Sequence, residues 1–125
     1  AALLDVLRGR FDIEYAAILL FEEAYGREGP CRRVPEREAR STVSGIIGRG
    51  NAGCGALRAE EFAFLFPGTR MIGSAGVALI TRGDQGLGLL AVGSSDAGHY
   101  SSGMGTLFLE FAAEVFARLE VPART

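Results

Sequence analysis

The chain has no tryptophan, no lysine, two cysteines and one histidine among 125 residues. Each scarcity removes a class of function. Two cysteines, Cys31 and Cys54, cannot staple a small secreted domain, so reduced thiols in a cytoplasm are expected. With His99 they are the only soft metal ligands, at unrelated spacings, and structural zinc takes four; no metal site is expected. No apolar run approaches the roughly 18 residues of a membrane span, and no signal peptide opens the chain. The first residues are Ala-Ala-Leu-Leu without a methionine, which suggests a fragment or a trimmed protein. Without lysine, all 13 basic residues are arginine, which reads as codon bias in a GC-rich genome. The net charge of -2 gives no electrostatic case for nucleic acid or for an acidic membrane surface.

What is present suits one folded domain spanning 1–125. Apolar residues make up 48%, and a chain of this length buries roughly two-thirds of its extended surface. Leu3, Leu4 and Leu7 have helical spacing and predict the end of a helix over residues 2–10. Residues 13–21, IEYAAILLF, predict a strand buried on both faces. Residues 23–36 read as a charged, solvated loop. Val43, Ile46 and Ile47 predict a helix over 36–47 with Gly48 as its stop, and Phe62, Leu65 and Phe66 predict another over 58–66. Two buried strands follow, over 72–81 and 87–94, joined by a tight hairpin at Gly83-Asp84. Residues 104–119 form the most strongly patterned helix, with Met104, Leu107, Phe108, Phe111, Val115 and Leu119 on its apolar side. Its apolar arc spans roughly 200°, twice what a one-sided helix needs, and the surplus calls for a second partner. Together these elements predict an α+β domain of three layers: a central antiparallel sheet with helices on both faces.

Gly48-Arg-Gly-Asn-Ala-Gly53 spells the dinucleotide fingerprint G-x-G-x-x-G. That fingerprint works only between a strand and the helix it opens, because the pyrophosphate rests on the helix N-terminus. Here a helix precedes it and no helix starts at once behind it, so a plain loop is expected. Ser94, Ser95, Asp96 and His99 invite a Ser-His-Asp reading, but a triad needs a base in reach of its nucleophile and an acid orienting the base. Four such residues in one short loop more readily shape that loop by bonding its backbone. No catalytic residue and no enzyme activity is therefore expected. Cys54 beside a helix start has a conceivable lowered thiol pKa, but the reading as a small buried hydrophobe is preferred. Glycines 73, 76, 86, 88 and 93 lie in or beside strands, marking either close packing of the protein on its sheet or room for a ligand.

Residues 53–119 carry a resemblance. Cys54-Gly55 followed by FAFLF at 62–66, the Gly73-Ser74-Ala75 strand, GLLAVGS at 88–94, Asp96, His99-Tyr100 and MGTLFL at 104–109 resemble a bacterial family known as family 484 of the domains of unknown function. That family is described as GAF-like. The first 50 residues match less distinctly, and the family's long N-terminal helical region is mostly absent. The resemblance implies a GAF-like three-layer domain with a small-molecule pocket on one sheet face and dimerisation through terminal helices. Its implied ligand candidates here are Cys54, Ser74, Ser94, Asp96, His99 and Tyr100. Its implied homodimer interface is Leu3, Leu7, Leu109 and Phe116. It names no cofactor and no catalytic residues. A ligand-sensing signalling module is the expected function; a ligand-free dimerisation or interaction module is the alternative.

Overall fold

The computed structural model describes residues 13–28, 32–48, 50–68, 72–100 and 106–119. Among them lie five strands and four helices in the order β1 (Tyr15–Phe21), α1 (Glu22–Tyr25), β2 (Arg32–Val34), α2 (Glu36–Ile47), β3 (Ala52–Ala56), α3 (Ala59–Leu65), β4 (Ser74–Arg82), β5 (Gln85–Ser94) and α4 (Leu107–Leu119). The fold is mixed α+β around one sheet of order β2-β1-β5-β4-β3.

β4 and β5 form the centre because both are apolar on both faces. Every residue of β4 from Ser74 to Ile80 is buried, as is every residue of β5 from Gly86 to Ser94. Alternation then splits the core in two. Ala75, Val77, Leu79, Leu89 and Ala91 pack with Val43, Ile46, Leu65 and Phe66 from the α2 and α3 side. Ala78, Ile80, Leu90 and Val92 pack on the other face with Leu109, Ala113 and Phe116 of α4. Leu87 breaks the alternation: Ile80 pairs with Gly88 and Thr81 with Gly86, so Leu87 is the extra residue of a bulge and joins the α4 side. The hairpin turns at Gly83, whose φ of 59° suits a residue without Cβ.

Three expectations need correction. The sheet is not wholly antiparallel, because β2 pairs parallel to β1 from inside the stretch read as loop, residues 23–36. That stretch also holds all of α1 but its first residue, Glu22. The glycine-rich segment is not all loop either: Ala52–Ala56 is the edge strand β3, antiparallel to β4. Its small side chains gave no strand pattern; Gly53 packs so closely on α2 that a Cβ there would lie 2.0 Å from the Ile46 carbonyl oxygen. Finally, α4 is turned the other way from its expected apolar side. Its buried face is Leu109, Ala112, Ala113, Phe116 and Ala117, while Leu107 and Phe111 are 81% and 67% exposed. The three alanines let the helix sit close to the sheet, which the larger residues of the opposite stripe would prevent.

Consequently Leu109 and Phe116, expected at a dimer surface, are interior residues of the single chain. Leu3 and Leu7, the helix expected over 2–10, Cys31 and Met104 fall outside the described residues. No helix among the described residues is long and apolar enough to cross a membrane.

Candidate functional site

The end of β5 and the loop behind it gather most of the polar residues singled out above. Ser74 and Ser94 are opposite partners in the β4–β5 ladder, and both are buried. A buried hydroxyl needs partners. The Ser74 hydroxyl donates to the Asp96 carbonyl at 2.6 Å and accepts the Tyr100 N–H at 3.1 Å. The Ser94 hydroxyl accepts the Asp96 N–H at 3.1 Å. Asp96 Oδ1 accepts the Gly98 N–H at 2.8 Å, an Asx turn, while its carbonyl accepts the His99 N–H at 3.2 Å. The loop is thus wound on two serine hydroxyls and one carboxylate.

Glu14 closes the other side. Its carboxylate accepts the Ser95 N–H at 2.9 Å and lies within 3.2 Å of the Ser95 hydroxyl through both oxygens. Sequence reasoning missed Glu14. The signal was the pairing of β1 with β5, since Tyr15 faces Gly93 and the residue before it therefore reaches the loop after β5. Tyr100 is buried, and His99, exposed beside it, meets the Tyr100 ring edge-on with centroids 4.6 Å apart.

These residues border a half-open pocket of about 410 Å³ lined by Glu14, Gly93, Ser94, Ser95, Asp96, His99 and Tyr100. Ser94, Asp96, His99 and Tyr100 are thus brought together. Ser74 lies beneath them as the anchor of the loop, outside the lining. Cys54 does not join the pocket: it is buried in the core beneath α4, where burial pushes its thiol pKa up. That direction is opposite to the activation conceivable from sequence and agrees with the reading of Cys54 as a small hydrophobe.

The serine hydroxyls answer the triad question. Ser94 is engaged by the Asp96 N–H and Ser95 by Glu14, while Asp96 takes the Gly98 N–H. The carboxylate shapes backbone where a triad acid would orient an imidazole. Among the described residues no group of three or more His, Cys, Asp or Glu is placed to hold a metal ion.

The strand glycines are packed against protein. A Cβ on Gly73 would lie 2.7 Å from the Ala97 nitrogen, one on Gly76 2.7 Å from Leu109 Cδ1, and one on Gly88 2.3 Å from the Leu19 carbonyl oxygen. Gly93 lies under Ile72 and Phe66, and Gly86 under Glu36 and Arg40. Close packing, not room for a ligand over the sheet, explains all five. One accessible pocket lies at the rim, where β5 gives way to its loop.

No curated protein matches the chain. A family model described as "Protein of unknown function, DUF484" matches residues 1–122, including the first 50 residues that resembled it less distinctly. The match covers nearly the whole chain, and the chain belongs to that family.

Proposed function

We propose that the chain is a GAF-like regulatory module that binds a small polar molecule in the pocket behind β5 and self-associates through its terminal helices. The observation that carries the binding reading is the convergence of Glu14, Ser94, Ser95, Asp96, His99 and Tyr100 on one pocket of about 410 Å³. A volume of that order falls in the range of small-molecule sites, and the mainly polar lining suits a polar ligand. Two carboxylates at the rim and an exposed imidazole favour a ligand rich in hydrogen-bond donors. A five-stranded sheet with helices on both faces is consistent with the GAF-like architecture. The position of the pocket supports signalling: its loop connects β5 to α4, so occupancy can bias the helix that carries the exposed Leu107 and Phe111.

One observation favours the ligand-free alternative. Among the described residues, a Cβ at any of the five strand glycines would meet protein atoms, so none of them marks open room for a ligand. A thermal-shift screen against small polar metabolites, run on wild type and on a pocket-filling Ser95→Trp variant, separates the readings. Binding at the pocket gives a saturable rise for some compound in wild type only. A rise equal in both proteins, or none across the screen, favours the interaction module.

A further inference from the structure

The pocket behind β5 has a balance of donors and acceptors that narrows its ligand. Free backbone N–H groups are what a loop offers an anion, and in this loop they are spent. The Ser95 N–H goes to Glu14, that of Asp96 to the Ser94 hydroxyl and that of Gly98 to Asp96 Oδ1. The His99 N–H goes to the Asp96 carbonyl and the Tyr100 N–H to the Ser74 hydroxyl. Among the described residues Ala97 alone keeps its N–H in this run, and it packs against Gly73, outside the pocket lining. No arginine among the described residues lines the pocket.

The acceptors are not spent. A carboxylate has about four acceptor positions. Glu14 uses two, for the Ser95 N–H and O–H, and Asp96 uses one, for the Gly98 N–H. Neither forms an ion pair with a described arginine. Ser94 adds a separate requirement. It is 7% exposed and lines the pocket. Its hydroxyl accepts the Asp96 N–H, which leaves its own proton without an acceptor among the described residues. A buried O–H in that state is costly, and an oxygen of a bound molecule would relieve it.

We infer that the pocket takes a small organic cation, a primary ammonium that also carries a hydroxyl or carbonyl oxygen. This names the ligand class of the binding reading above and rests on it. The ammonium, with three donors and no acceptor, matches the open positions of Glu14 and Asp96. The oxygen takes the Ser94 proton. A phosphate or carboxylate would face two carboxylates and find no free N–H in the lining, an arrangement of like charges that costs affinity.

The test is an amide NMR titration of the full chain with three matched probes at constant salt. Ethanolamine carries both groups, ethylammonium lacks the oxygen, and glycolate has a carboxylate in place of the ammonium. The inference expects saturable shifts at Ser95, Gly98 and His99 with ethanolamine, roughly two- to tenfold weaker binding of ethylammonium, and none of glycolate. Glu14→Gln and Asp96→Asn keep an oxygen for their loop N–H groups, so spectra away from the loop should hold. Each should weaken ethanolamine about tenfold, as loss of a charge-assisted hydrogen bond does. Glu38→Gln, exposed on α2, should change nothing. Equal affinity for ethylammonium removes the Ser94 contact. Glycolate bound as tightly as ethanolamine, or ethanolamine affinity unchanged in both loop variants, overturns the cation class and leaves the pocket standing. Silence from all three probes also overturns the class; the pocket falls with it when the metabolite screen finds no compound either.

Discussion

The Ser74 hydroxyl holds Tyr100 across 26 residues of sequence: it accepts the Tyr100 N–H at 3.1 Å while donating to the Asp96 carbonyl at 2.6 Å. One side chain from β4 thereby ties down two points, Asp96 and Tyr100, of the loop that borders the pocket. Ser74→Ala would leave the buried Tyr100 N–H without that partner, while the Asp96 carbonyl keeps the His99 N–H. The expected cost is roughly 1–3 kcal/mol. Asp96→Ala, which frees only the exposed Gly98 N–H, should cost less, on the order of 1 kcal/mol, as lost caps do. Denaturant midpoints check the order; a larger loss for Asp96→Ala would contradict it.

Glu61 is the buried acid among the described residues, 2% exposed, and it folds back to the start of α3. It accepts the Arg58 N–H at 2.8 Å and the Arg58 guanidinium at 3.1 Å; these contacts raise the guanidinium pKa. Glu61→Ala should cost roughly 1–2 kcal/mol through the lost cap and the space left behind. Glu61→Gln keeps an acceptor for the backbone N–H and should lose less. Equal losses in urea titrations would show that charge, not the cap, is what counts.

Cys54 should be slow to react. Burial raises its thiol pKa from the ordinary 9.0, so the folded chain holds the neutral form more strongly than the unfolded chain does. A group raised in this way contributes its stability fully below the unfolded value and loses it as pH climbs through the folded one. Stability should therefore fall in the alkaline range above 9.0, and less so in Cys54→Ala. Alkylation of Cys54 by iodoacetamide at pH 8, resolved from Cys31 by peptide mapping, should follow unfolding; rapid labelling of Cys54 under native conditions would contradict the buried placement.

Legibility in the sequence followed side-chain bulk. The helix over 36–47 appears with its ends as read, because Val43 and Ile46 mark one face and Gly48 stops it. The two long strands and their Gly83-Asp84 turn also appear, since continuous apolar runs around a glycine leave few alternatives. β3 escaped notice because its five small residues carry no period; backbone contact with α2 and pairing with β4 place it. The facing of α4 was misread for a related reason. A wide apolar arc does not say which part meets the sheet, and the alanines that permit close approach weigh little in a pattern of large residues. In the site, Ser94, Asp96, His99 and Tyr100 were visible as one polar loop. Glu14 was not, because its role comes from strand pairing between chain segments about 80 residues apart.

Native mass spectrometry of gently purified protein tests the binding claim most directly. The account predicts that a share of wild-type molecules carries a non-covalent adduct of small-molecule mass. That adduct should be absent from Ser95→Trp, which puts a bulky side chain into the pocket lining. Wild type that stays bare when incubated with a small-molecule extract, or an adduct that survives equally in Ser95→Trp, would contradict it.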